Sequence, residues 1–324
     1  METRTDILIS YMYILSSSGG ISVMRVIFYI EPEWAYGVIH YDLSNYLTEK
    51  GITSAIMPWN RAYTLHEIQE LSSQIDCFIS STTGIRGLCV EHYGVPPEKC
   101  IAVAHSREDL EYYQQMDILI TARFRGFGVV SKWLQEQAKE MGISRVPTII
   151  PIAVNVKRFR AEPPDRLEVL GYAGAYKVSH NNHIKRAHLI DEVAERVKLP
   201  LKVAQLYHNS FVTMPGFYPT VGCVLVSSTW EGAGLPALEG GAAGRLVVST
   251  PVGHWNRIGS RGAVEVPVEE REFVERSVET IQFYKNNPRE FKERCVSIQQ
   301  HAIRNYDWEM VIDNWINLIK NDKH

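Results

Sequence analysis

No stretch of this 324-residue chain approaches the 18 or more consecutive apolar residues that a membrane-spanning helix needs. The nearest, residues 7–15, is nine long, and the METRTD ahead of it holds two acids and one Arg, a poor leader n-region. Cysteine is scarce and scattered: the five, at 77, 89, 100, 223 and 295, share no ligand spacing, which argues for reduced, structural thiols and against zinc or a disulfide framework. Nor do His180 and His183 have a carboxylate companion at ligand spacing, so no metal site is expected. Strong charge is missing too. Formal net charge is −3, with 12 Lys/Arg against 17 Asp/Glu in residues 1–150 (−5) and +2 in the remainder. That distribution argues against a broad nucleic-acid footprint. With no leader and reduced thiols, the expected location is cytoplasmic and the expected state a monomer or homodimer.

What is present is an ordinary globular composition, 45% apolar and 22% charged, on a length that suits two domains of about 150 residues. Residues 16–23 are rich in Ser and Gly, and 1–23 are read as an extension ahead of the first strand, 25–30. Gly37 is then read in the loop after that strand, and Gly51 as the stop of the helix between. Further strands are expected at 52–57, 76–80, 101–104, 118–121 and 128–131, with a helix over 65–71 and another closed by Gly142. The strand 101–104 delivers His105 at its carboxyl end, just before a plausible helix start at Ser106. Adjacent prolines at 163 and 164 mark a linker. The domains are therefore drawn as 24–155 and 156–300, with 301–324 as a terminal helix crossing back to the first. A second α/β unit opens at residues 167–174, where Gly174 ends a strand, and Lys177, Lys185 and Arg186 precede an amphipathic helix. Strands at 201–206 and 262–268, a helical stretch over 271–297 and a Trp308/Trp315 helix complete it.

The most informative stretch is 221–250, VGCVLVSSTWEGAGLPALEGGAAGRLVVST. A buried parallel strand at 221–226 enters a loop of small residues, Pro236 opens a helix, and 246–251 reads as the next strand. A strand, a flexible loop and a helix N-terminus expose backbone N–H groups at the carboxyl edge of a sheet, where open α/β sheets bind ligands. Glu231 lies in the loop, and Glu239 is read in the first turn or so of the helix.

Two glutamates separated by seven residues, a Gly-rich loop between them, and VVSTPVG after them resemble the donor-site motif of the GT-B glycosyltransferases of retaining family 4. The resemblance covers most of residues 24–320. It implies two Rossmann-like domains facing across a cleft, and transfer of a sugar from a nucleotide diphosphate to an acceptor hydroxyl with retention. Within it Glu239 binds the donor ribose, while Glu231 and the N–H groups of Gly232, Ala233, Gly234 and Leu235 fix the sugar. Lys185, with Lys177 or Arg186, holds the diphosphate, and His105 contacts the sugar from the opposite domain. Gly37 and Gly174 stand at the phosphate-facing strand ends. The nucleotide sugar is a substrate, and no cofactor or metal is implied. Two departures stand out: the glycine pair usual after the first strand is absent, and Ile152-Ala153 replaces the family's Asn-Gly. The other readings are a transferase acting on hydroxymethylated DNA, a nucleotide-sugar epimerase or phosphorylase of the same fold, and a non-catalytic interaction protein. The acidic first domain argues against DNA, and retention of Glu231, Glu239 and Lys185 argues against the last.

Overall fold

The computed structural model describes residues 24–31, 35–176, 182–205, 212–253 and 255–320. The described chain divides into two compact units, one drawn from 24–130, 134–150 and 312–320, the other from 131–133 and 151–311. Among the described residues no helix is long and apolar enough to cross a membrane.

Unit 1 is a six-stranded parallel sheet in the order β2-β1-β3-β4-β5-β6. Its strands are β1 (Arg25–Ile30), β2 (Thr53–Pro58), β3 (Cys77–Ser81), β4 (Cys100–Ala104), β5 (Gly126–Val129) and β6 (Thr148–Ile149). The middle strands are sealed on both faces, and β3 and β4 are buried at every position. That is why they read as continuous apolar runs instead of alternating ones. Local signals set the helix starts. Thr64 and Ser106 each close a capping box, with Glu67 and Asp109 respectively, and so fix the helices Leu65–Gln74 and Arg107–Gln114.

Two expectations fail here. Residues 118–121 form a helical turn, Ile118–Thr121, and not a strand. The Asp117 side chain accepts the Leu119 N–H at 2.8 Å and nucleates the turn. Ile118 and Leu119 are 60% and 73% exposed, incompatible with an interior strand. Gly37 does not lie in a loop either: it is the third residue of the helix Ala35–Glu49.

Unit 2 repeats the plan with five parallel strands in the order β11-β10-β9-β7-β8. They are β7 (Leu170–Ala173), β8 (Leu201–Ala204), β9 (Cys223–Val226), β10 (Leu246–Ser249) and β11 (Val264–Glu265). Read in chain order, the second strand lies outside the first and the third lies on its other side, as in unit 1. This doubly wound arrangement reverses direction between β7 and β9. The expected single stretch over 271–297 is two helices, Glu270–Asn286 and Pro288–Asn305, broken where Pro288 opens the second. Trp308 and Trp315 are fully buried on the last helix, Trp308–Lys320.

Candidate functional site

The reversal point in unit 2 is a physical opening. β7 pairs with β8 over four residues but with β9 only at Leu170↔Cys223 and Gly171↔Val224. Beyond that pair β7 and β9 part, and their carboxyl ends deliver Gly174 on one side and residues 227–234 on the other. Ligands bind at this place in open α/β sheets because no helix crosses over it.

Three segments are stitched together there. The Ser227 hydroxyl donates to the carbonyls of Lys185 (2.7 Å) and Arg186 (3.2 Å). The Thr229 N–H donates to the Ile184 carbonyl at 2.9 Å. Thr250, following β10, donates its hydroxyl to the Ser228 carbonyl at 2.7 Å. On this frame Lys185 Nζ meets Glu231 Oε1 at 2.5 Å, and the Ser228 hydroxyl reaches the same oxygen at 2.6 Å. The two side chains are 28% and 13% exposed, so the pair is shielded but reachable.

Lys185 and Arg186 are adjacent cations with different fates. Arg186 sits in the left-handed region (φ 48°), which turns its side chain away from the direction its neighbour takes. Its guanidinium is buried, donating from Nε to the Ser227 carbonyl at 2.7 Å and from Nη1 to the Val268 carbonyl at 2.5 Å, over the Phe273 ring. Burial lowers its pKa from the ordinary arginine value, the nearby Glu270 and Glu269 opposing that shift. Arg186, expected at the diphosphate, uses Nε and Nη1 to hold the Lys185 turn against the loop after β9. Lys177, the other candidate, lies outside the described residues.

The loop itself is set by glycines. Gly234 adopts φ 72° as the residue before the helix Leu235–Ala242, and no side chain caps that helix, whose first turn holds Pro236 and no acid. Its amide end therefore carries the positive partial charge of the helix with no side-chain cap on it. Gly253 (φ 61°) supports the loop from behind: a Cβ there would stand 2.6 Å from the Ala233 carbonyl oxygen and 3.0 Å from the Gly234 nitrogen. Across the opening, the Tyr172 hydroxyl donates to the Ala175 carbonyl at 3.0 Å, fixing the turn at Gly174. Burial, then the Glu231 charge, pushes the Tyr172 phenol well up, so it stays a donor.

Glu239 is the fifth residue of the helix, just past its first turn and close to where it was expected, and is 6% exposed. Its Oε2 accepts from the Tyr218 hydroxyl at 2.5 Å. Tyr218, like Ser227 and Ser228, was not legible as a site residue. Its signal is a lone tyrosine 21 positions away, in a segment that shares no motif with the loop.

In unit 1, His105 follows β4 as expected, at the carboxyl edge of that sheet, and is 8% exposed. Its backbone N–H donates to Asp109 Oδ2 at 2.9 Å, and its ring lies 5.8 Å from that of His40. Burial, then the His40 charge, holds its pKa well below the usual histidine value, so the ring is a neutral imidazole at physiological pH. Asp109 is pushed up to about 6 by burial, against hydrogen bonds from His105, Thr82 and Ser106 that lower it. Glu31, just after β1, accepts hydrogen bonds from Trp59 Nε1 (2.9 Å) and Asn60 Nδ2 (2.8 Å). Among the described residues no group of three or more His, Cys, Asp or Glu side chains is placed to hold a metal ion.

No protein-family model matches this chain, and no curated protein matches it. Solved structures do. Anabaena HepE, in complex with UDP and glucose, superposes with a TM-score of 0.65 at 12% identity, over 93% of this chain and 100% of that one. A glycosyltransferase from Rickettsia africae gives 0.63 at 12% identity, over 93% and 100%. The fold is GT-B. S. aureus TarM, in complex with fondaparinux, α-GlcNAc-glycerol and UDP, gives 0.62 at 15% identity, over 79% of this chain. The chain spans about 58% of TarM's length. At these identities the likeness is one of GT-B fold alone.

Proposed function

We propose that this protein is a retaining glycosyltransferase of the family 4 type, moving a sugar from a nucleotide diphosphate to the hydroxyl of a glycan, lipid or small molecule. The observation that carries the proposal is the Lys185–Glu231 pair at the β7/β9 opening, with Glu239 eight residues further on and an uncapped helix end between the carboxylates. Each part has a task that its chemistry suits. Lys185 and the helix end take the diphosphate, whose charge grows as the glycosidic bond breaks, so their stabilisation is larger in the transition state than before it. Glu231 and the amides of 232–235 hold sugar hydroxyls. Glu239, an acceptor with two oxygens, receives the ribose hydroxyls. His105, as a neutral imidazole, serves as a hydrogen-bonding contact to the sugar and not as a cation. The departing phosphate assists deprotonation of the acceptor on the same face, so no protein nucleophile is needed. With phosphate charge handled by protein groups, turnover proceeds without a metal. Solved structures of the same fold hold UDP, and in one case UDP with glucose, which supports a nucleotide-sugar donor.

The test is a donor panel. UDP-, GDP-, ADP- and CMP-linked sugars are compared for thermal stabilisation and slow hydrolysis, with and without EDTA, on wild type and Glu239→Ala. Stabilisation by one donor, lost in the variant and insensitive to EDTA, is expected. Absence of any donor response, or hydrolysis abolished by EDTA and restored by Mn²⁺, overturns the reading or its metal-free form respectively.

A further inference from the structure

We infer that Tyr218 is a positioning residue of the nucleotide site, holding Glu239 in the orientation that recognises a ribose hydroxyl. The inference rests on the reading of Glu239 given above.

Tyr218 begins a single 3-10 turn, Tyr218–Thr220, just ahead of β9, and is completely buried. Its ring is fixed by edge contacts with Phe159 (centroids 5.8 Å) and Phe217 (5.3 Å). Two rings of this kind leave the phenol one aim, and its oxygen lies 2.5 Å from Glu239 Oε2. Burial, then the Glu239 charge, drives the phenol pKa far above its ordinary value, so the hydroxyl keeps its proton and the carboxylate is the acceptor. The short distance is that of a charge-assisted O–H···O⁻ bond.

Glu239 sits on a helix of small and apolar neighbours. Its side chain has three rotatable bonds, and its neighbours Ala237, Leu238, Gly240 and Gly241 offer no polar side chain. A hydrogen-bond donor lowers the cost of keeping a buried carboxylate in its charged form. A fixed donor on one oxygen sets the plane of the carboxylate, and so the direction in which the group can accept from a sugar hydroxyl. Tyr218 would not touch the nucleotide: it acts through Glu239.

Recognition of a ribose hydroxyl makes a measurable distinction between ribo- and 2′-deoxyribonucleotides. The probes are UDP, GDP, ADP and CDP and their 2′-deoxy forms, titrated calorimetrically into the full-length protein. For the diphosphate that binds best, wild type should prefer the ribo form. Tyr218→Phe, which removes only the hydroxyl, should weaken the ribo form about tenfold, the scale of one hydrogen bond to a charged group, and leave the deoxy form within twofold. Equal weakening of both forms, or no change in either, overturns the positioning role, because a purely structural tyrosine cannot discriminate between them. Glu239→Gln separates the two levels of the argument. If it leaves ribo affinity intact, the ribose reading of Glu239 has failed, and Tyr218 with it. If it removes the preference while Tyr218→Phe keeps it, only the Tyr218 role has failed. Should Tyr218→Phe not fold, Glu239→Asp withdraws the carboxylate from the intact tyrosine, and the same loss of ribo preference is expected; a retained preference overturns the proposal.

Discussion

Gly253→Ala tests whether the loop after β9 is built to fixed dimensions. The glycine sits at φ 61°, where a residue with a Cβ costs about 1–2 kcal/mol. The new methyl would also stand 2.6 Å from the Ala233 oxygen, 2.7 Å from its carbonyl carbon and 3.0 Å from the Gly234 nitrogen, all main-chain atoms that cannot rotate aside. Restoring ordinary contact requires the 233–234 backbone to move by about 0.4–0.8 Å. Gly234 is the residue on which the helix start depends, so that shift carries the amide end with it. Displacements near 1 Å cost on the order of 10²-fold in rate when geometry is catalytic. The variant should therefore lose about 2 kcal/mol, lowering Tm by roughly 4–8 °C for a unit of this size. Donor affinity and turnover should each fall about tenfold or more. Thermal unfolding and donor titration on the same preparation are the assays. A lowered Tm with unchanged turnover would remove the 232–235 loop from the site. Wild-type values in both would show that the close approach to Ala233 is not a constraint at all.

The two adjacent cations should separate cleanly. Lys185→Ala should reduce turnover by roughly 10²-fold or more with little change in Tm. Arg186→Met, which strips the Ser227 and Val268 carbonyls of their donor, should instead lower stability by about 2–4 kcal/mol. The reverse pattern in parallel melts and rate assays would exchange their roles. Asp109 carries a pH signature. Its pKa is raised from 3.8 to about 6 in the folded protein, so its stabilising contribution is present below pH 3.8 and is lost as pH rises through about 6. Relative to wild type, Asp109→Asn should gain up to ~3 kcal/mol between pH 4 and 6.5 in urea unfolding. A pH-independent difference would show that Asp109 ionises normally.

Much of the β-framework was readable because parallel strands buried on both faces leave continuous apolar runs, and 221–226 and 101–104 are of that kind. The same rule misfires at 118–121, where four apolar-rich residues follow Asp117, a side chain that accepts its own loop's N–H and starts a turn. Gly37 misled for a related reason: a glycine near a strand end suggests a loop, yet it is carried inside the helix Ala35–Glu49. Within the site, the Glu231/Glu239 spacing is a one-dimensional signal and was visible. Which of Lys185 and Arg186 faces Glu231 was not, because it depends on a left-handed backbone at a non-glycine residue stabilised by Ser227, 41 positions away. Tyr218 was invisible on the same ground, its partner being 21 residues distant.

The 2.5 Å contact between Lys185 and Glu231 has a consequence for the order of events at this site. If Lys185 takes the diphosphate and Glu231 the sugar, as proposed, a diphosphate claiming Lys185 competes with a carboxylate already bonded to it, and success releases Glu231 to accept from the sugar. Binding of the phosphate end and readiness for the sugar end are thereby linked through one lysine. The linkage predicts opposite effects from a single substitution. Glu231→Gln removes the competing charge, so a nucleoside diphosphate alone should bind several-fold more tightly, on the scale of about 1 kcal/mol for a partly exposed pair. The same change weakens the hold on the sugar, so transfer should fall by about 10-fold or more. Calorimetric titration with the diphosphate and initial rates with the full donor separate the two terms. Weaker diphosphate binding in Glu231→Gln would mean that Glu231 positions Lys185 for the phosphate and does not compete with it.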